Sequence, residues 1–176
     1  MIDFLKMLIR FFDQYKIPYM LSGSMAMTTY IPARYTKDFD FIVHLKLSDV
    51  SLLISYFEEG FYYEEDSVKE AIRTKGMFNI IDHGSNYKAD FFILKDDDFE
   101  RIKFGRRHLV PFLDFNIFVI SPEDLLLSKL VWIQELQSAL QANDIVQIAK
   151  INDLDWDYIW SWIDRLKLNT FELLQK

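Results

Sequence analysis

Asp38 and Asp40 stand one residue apart in Thr36-Lys37-Asp38-Phe39-Asp40-Phe41-Ile42-Val43. The apolar residues between and after them mark the stretch as a strand, in which residues i and i+2 point to one face roughly 7 Å apart. The two acids then aim one way, and Phe39, Phe41 and Val43 aim the other way into a core. Carboxylates side by side repel, and such a pair is usually tolerated because a cation sits between them. Paired divalent ions about 4 Å apart, clamping a transferring phosphoryl group, are one recurring use. Without a cation the same spacing describes a hairpin edge with two solvated Asp residues. Upstream, the short apolar run Tyr19-Met20-Leu21 ends in Ser22-Gly23-Ser24 and opens the helical pattern Met25 to Tyr30. A Gly lets the backbone come close to a ligand, and a helix N-terminus offers free N–H groups to an anion such as phosphate.

Gly23-Ser24 followed after a spacer by Asp38-Phe39-Asp40-Phe41 resembles the signature of the nucleotidyltransferase superfamily, the polymerase-beta-like fold. The segment Arg34-Tyr35-Thr36-Lys37-Asp38-Phe39-Asp40 resembles the small bacterial members, including the AbiEii toxin type. The resemblance implies that Asp38 and Asp40 hold the metal ions. It also implies a third carboxylate on a neighbouring strand, binding one ion and orienting or deprotonating the attacking hydroxyl. Asp90 in Lys88-Ala89-Asp90-Phe91-Phe92 fits that place. It lies mid-strand among apolar residues, where an unpaired acid is costly; the alternative is a salt bridge to Lys88 or to an arginine. Magnesium takes oxygen ligands and keeps several waters, so two or three carboxylates are enough, and manganese is the alternative ion.

Lys129 lies in the otherwise apolar Leu125-Leu126-Leu127-Ser128-Lys129-Leu130-Val131-Trp132, where a lysine must snorkel or find an anion. The small bacterial nucleotidyltransferases carry a lysine in a similar context, which implies contact with the nucleotide phosphates. Arg34 and Lys37, just before the acidic strand, could reach a triphosphate; Arg106 and Arg107 could do so from the far edge. His44, His83 and His108 lack the spacing of a zinc site. His44 reads as a half-buried packing residue. Trp132, Trp156, Trp160 and Trp162 read as packing rather than as base-stacking platforms. No Gly-x-x-x-x-Gly-Lys is present, so the P-loop route to phosphate is absent.

The elements that must hold these residues follow from periodicity. Phe4, Leu5, Leu8, Ile9, Phe11 and Phe12 predict a helix over 3–16, stopped by Lys16-Ile17-Pro18. A strand over 18–22, a helix over 24–31 and the acidic strand over 38–44 follow. Ser48 is expected to cap a helix that Gly60 ends, and a short strand within 61–66 and a brief helix over 67–73 come next. Residues 77–82 and 87–94 predict a hairpin around His83-Gly84-Ser85-Asn86. Residues 95–104 are expected as helix or loop, and a last strand near 113–120. Ser121-Pro122-Glu123-Asp124 is a strong helix start, opening a helix to about 139, with others near 141–151 and 155–167 and a short closing one.

Strands and helices first and helices alone afterwards predict an α/β (α+β) fold, a mixed β-sheet flanked by helices with a C-terminal helical bundle. Residues 1–120 would be the core, with 121–176 packed on it in a single structural domain. The chain has 176 residues, of which 51% are hydrophobic, with 16 Phe, 9 Tyr and 4 Trp, so the core should be rich in aromatic rings. The net charge of −7 comes without a basic stripe, which does not suggest a nucleic-acid partner. No cysteine is present, which excludes disulfides and thiolate metal sites. The N-terminus does not read as a signal peptide, no run is long enough for a membrane span, and a cytoplasmic protein is expected.

The expected activity is metal-dependent transfer of a nucleoside monophosphate from a triphosphate to a hydroxyl on a protein, a tRNA end or a small molecule, in a toxin–antitoxin or phage-defence setting. The alternative is a non-catalytic protein of the same fold acting as a binding or antitoxin-like partner.

Overall fold

The computed structural model describes residues 1–32 and 36–174. Helix α1 (Ile2–Tyr15) buries Phe4, Leu5, Leu8, Ile9, Phe11 and Phe12 along one side, and it ends where Lys16 turns left-handed ahead of Pro18. Strand β1 (Tyr19–Ser22) is buried throughout and runs directly into α2 (Gly23–Met27). That helix is shorter than the apolar pattern suggests. The hydroxyls of Thr28 and Thr29 bond back to the carbonyls of Met25 and Ala26, each at 2.7 Å, and the chain continues in turns. Such local bonds compete with helix continuation.

Strand β2 (Asp38–Val43) carries the acids. After it comes a single 3-10 turn, Leu47–Asp49, leading into α3 (Val50–Tyr56). The carboxylate of Asp49, which accepts from the Lys46 N–H at 2.9 Å, caps this start, and Ser48 only donates to Asp49. α3 stops four residues before Gly60, whose φ of 85° serves the turn into β3 (Phe61–Tyr62) instead. Then follow α4 (Glu65–Thr74), β4 (Met77–Asp82), β5 (Lys88–Ile93) and α5 (Asp98–Gly105).

The single strand expected near 113–120 is a hairpin, β6 (His108–Phe112) and β7 (Phe115–Val119). Pro111 hides β6 from a sequence reading, yet β6 is an edge strand, where a missing N–H is tolerated. Helices α6 (Pro122–Glu135), α7 (Ala139–Ile148) and α8 (Trp156–Leu166) complete the chain, and the described residues beyond Leu166 form turns rather than a closing helix. At the start of α6, Ser121 accepts from the Asp124 N–H at 3.2 Å.

The described strands form one mixed seven-stranded sheet in the order β3-β4-β5-β2-β1-β7-β6. β2 runs parallel to β5 and β1 to β7, and the remaining pairs are antiparallel. One face of the central strands meets α1 through aromatic rings. Phe12 stacks on Tyr19 with centroids 4.5 Å apart and meets Phe41 edge-on at 5.2 Å, while Phe78 and Phe91 stack at 4.8 Å. Each such pair contributes about 0.5–1.5 kcal/mol beyond its buried area. Met20 and Ile42, on the opposite face, are buried too, so the centre of the sheet is covered on both sides. α2 packs against α6, which packs against α7 and α8. The fold is therefore α/β, a mixed sheet with helices around it.

Candidate active site

The β2–β5 register sets the site. Asp40 lies opposite Asp90 and Asp38 opposite Lys88, on the face turned away from Phe41 and Phe91. Ser22 on β1 pairs with Asp40, and Asn79 on β4 pairs with Asp90. Ser22, Asp40, Asp90 and Asn79 thus form one polar row across four strands, because paired residues share a face. The turn between β1 and α2 closes over this row. Gly23 has φ 61°, and a Cβ built on it would lie 1.9 Å from Asp40 Oδ2. No side chain fits between this backbone and that carboxylate. Ser24 follows, buried in the first turn of α2.

Charge is tightly coupled here. Burial raises the Asp40 carboxyl to about 6, with the neighbouring carboxylates of Asp90 and Asp38 adding to it and Lys129 and Lys88 opposing. Lys88 Nζ donates to Asp90 Oδ2 at 2.8 Å and lies 3.8 Å from Asp38 Oδ1. The bond to Asp90 is the main reason the Lys88 ammonium is held above its ordinary value. The salt-bridge alternative for Asp90 is therefore realised on one of its oxygens. Its other oxygen, Oδ1, is buried and has no hydrogen-bond partner, in a residue only 7% exposed.

Asp40, Asp90 and Asp38 are hard oxygen donors of the type a divalent ion takes, and the free Asp90 oxygen and the raised Asp40 carboxyl both suit an added cation. Among the described residues, however, no three acidic or imidazole side chains enclose an ion as they stand. Between Asp38 and Asp90 it is the Lys88 ammonium that sits. The donor set fits a metal on condition that Lys88 moves.

The other sequence candidates are scattered around this centre. Lys37 is exposed beside Asp38, and Arg34 lies outside the described residues. Lys129 is 5% exposed and neither snorkels nor opens to solvent, because its ammonium donates to Asp144 Oδ2 at 2.9 Å. Its field still reaches Asp40. Arg106 does not face the acids. Its Nε donates to Asp124 at 3.0 Å, a second nitrogen donates to Glu123 at 3.1 Å, and it lies over the Tyr158 ring at 4.0 Å. Arg107 stacks on Phe104 and Phe118.

His44 is exposed rather than half-buried, and Trp132, at 49% exposure, is not a core residue. Trp162 packs on Phe99, and Trp156 stacks with Trp160. Asn79 and Asp144 escaped the sequence reading. Counting back through the hairpin turn at 83–87 would have placed Asn79 opposite Asp90, whereas Asp144 reaches Lys129 only through the packing of α7 on α6.

No family model and no curated protein sequence matches the chain. Solved structures do resemble it. ANT(2'')-Ia, an antibiotic-resistance factor solved in solution, superimposes with a TM-score of 0.63 over 93% of this chain and 89% of that one, at 10% identity. The lincosamide antibiotic adenylyltransferase LnuA, crystallised with lincomycin bound, gives 0.56 over 84% of this chain and 96% of that one, at 16% identity. A nucleotidyltransferase-like protein from Paracoccidioides brasiliensis gives 0.54 over 90% and 83%, at 15% identity. At these identities the likeness is one of architecture: the chain has the fold of the nucleotidyltransferases.

Proposed function

We propose that this chain is a metal-dependent nucleotidyltransferase, moving a nucleoside monophosphate from a triphosphate to a hydroxyl acceptor. The observation that carries the reading is the Asp40–Asp90 pair on adjacent parallel strands, with Gly23 keyed to the Asp40 carboxylate and one Asp90 oxygen free. In the reaction the acceptor oxygen bonds to the α-phosphorus, the bond from that phosphorus to the bridging oxygen breaks, and pyrophosphate leaves with the electron pair. Asp90 Oδ1 has no donor of its own, so it is the group to hold the hydroxyl in line and take its proton. Asp38, Asp40 and Asp90 are the ligands for magnesium or manganese. Such an ion, when bound, neutralises charge growing on the phosphates and the leaving group. Gly23 and Ser24 bring backbone N–H groups to the phosphates. Lys37 reaches the triphosphate from the edge of β2, Arg34 is a further candidate by its sequence position alone, and Lys129 serves the nucleotide through its charge.

The net charge of −7 without a basic stripe favours a small-molecule or protein hydroxyl over a tRNA end. The lincomycin in the LnuA structure supports the small-molecule acceptor. The toxin–antitoxin or phage-defence setting, with an antitoxin as partner, rests on the AbiEii-like 34–40 segment alone. The competing reading is a non-catalytic binding partner, and the Lys88 ammonium between Asp38 and Asp90 is the observation that favours it.

Incubation with α-phosphate-labelled triphosphates, magnesium and a panel of hydroxyl compounds, proteins and RNA separates the two. Pyrophosphate release with label on one acceptor is expected, falling about 100-fold or more in Asp90→Asn, the scale of a lost general base. Equal label transfer by Asp90→Asn would remove Asp90 from the chemistry. No release with any acceptor would favour the non-catalytic reading.

A further inference from the structure

Lys88 is the only described residue whose charged group contacts two of the three site acids. It begins β5 as the register partner of Asp38 and shares its face with Asp90, so its placement is built into strand pairing rather than left to a loop. Its stem and ammonium are 37% exposed, Asp90 is nearly closed off, and Asp38 is half open. A divalent ion between Asp38 and Asp90 meets the carboxylates that now face Nζ. Two cations cannot share them at hydrogen-bond distance without strong repulsion. The side chain is 37% exposed, and its strand partner on the other side, Ile81 on β4, offers no charge to hold it. Without Lys88, by contrast, the nearly closed Asp90 carboxyl beside Asp40 would have no ion-pair partner among the described residues.

We propose that the Lys88 ammonium is a resident counter-ion that a divalent cation must displace, so that Lys88 sets how weakly the site holds metal in the absence of nucleotide. This rests on the nucleotidyltransferase reading of the acids. The site is then pre-formed, because its carboxylates are held together before any metal arrives, and selective, because a lone metal ion competes poorly with a tethered amine. A metal ion arriving on a triphosphate competes better, since the phosphates hold it as well. The freed ammonium is then close to the incoming phosphates.

The test is a Mn2+ titration of the full chain without nucleotide, read by loss of the free-ion electron paramagnetic resonance signal. Wild type, Lys88→Met and Lys88→Arg are compared, with unfolding temperature as a second reading. Lys88→Met is expected to bind Mn2+ at least tenfold more tightly than wild type, and Lys88→Arg to stay near wild type. Metal-free Lys88→Met should unfold at a lower temperature than wild type and regain the difference when Mn2+ is added. A merely structural lysine predicts the opposite, since damage to the site weakens metal binding. Mn2+ affinity in Lys88→Met equal to or below that of wild type, including no binding at all, overturns the proposal. Triphosphate-dependent stabilisation of the wild type is scored separately: if it persists while Lys88→Met gains no affinity, the counter-ion role fails and the nucleotidyltransferase reading stands.

Discussion

At the scale of single residues, the account turns on Asp40. Its carboxyl sits at about 6 in the fold, against about 3.9 in an unfolded chain. As pH rises through that window the unfolded chain loses its proton first, so the folded state is progressively disfavoured; the cost is absent below the window and complete above it. At about 1.4 kcal/mol per pH unit, reduced because Asp40 is partly exposed, the cost above pH 7 is about 1–2 kcal/mol. Asp40→Asn removes it. In metal-free buffer the variant should be more stable than wild type by that amount at pH 8, the gain vanishing near pH 4, as read by urea unfolding. An equal or lower stability at pH 8 would show that the acids are not in conflict.

Gly23→Ala tests the same contact from the other side. Its methyl would meet Asp40 Oδ2 at 1.9 Å on a left-handed backbone, so a loss of about 2 kcal/mol or more is expected, together with loss of triphosphate binding. A thermal scan that matches wild type would mean the turn relaxes freely. Asp38, Asp40 and Gly23 were legible from spacing because a strand's period of two and a glycine's backbone freedom are local properties. Asp144 was not, because nothing within a few residues of Lys129 says which helix will face it.

At the scale of elements, the C-terminal helices are joined to the sheet part by a charged brace. Asp124, fully buried in the first turn of α6, accepts from Arg106 Nε at 3.0 Å, Ser121 Oγ at 2.7 Å and Tyr158 Oη at 2.6 Å. The Arg106 fork spans Asp124 and Glu123, so Lys cannot replace it. Arg106→Ala leaves a buried carboxylate short of its counter-charge, and a loss of about 2–4 kcal/mol in chemical unfolding is expected. A loss under about 0.5 kcal/mol would mean that Ser121 and Tyr158 suffice. The helix start at Ser121-Pro122 was legible because capping is local chemistry. The role of Arg106 was not, because its two partners are brought to it by the β6–β7 hairpin, whose first strand contains a proline that reads as a break. The expected length of α2 failed for a similar reason, as the threonine hydroxyls at its end bond to the helix itself.

At the scale of the whole molecule, the sheet and the later helices share one core. Leu125, Leu126, Leu127, Leu130, Ile145, Ile148 and Ile159 are fully buried, as are Met20, Val119 and Ile120 from the sheet part. A fragment of residues 1–120 should therefore fail to fold cooperatively. A sharp unfolding transition for that fragment would show instead that the helices are an appendage. None of the described helices is long and apolar enough to cross a membrane.

The central claim, that the row of acids binds a triphosphate through a divalent ion, is tested most directly by thermal unfolding with magnesium and each triphosphate in turn, on wild type and on Asp38→Ala/Asp40→Ala. A ligand at about 100 times its dissociation constant stabilises by about 2.7 kcal/mol, a shift of a few degrees for a chain of this size. The account predicts that shift for wild type with at least one triphosphate, only when metal is present, and none for the double variant. No shift with any triphosphate, or the same shift in both proteins, would contradict it.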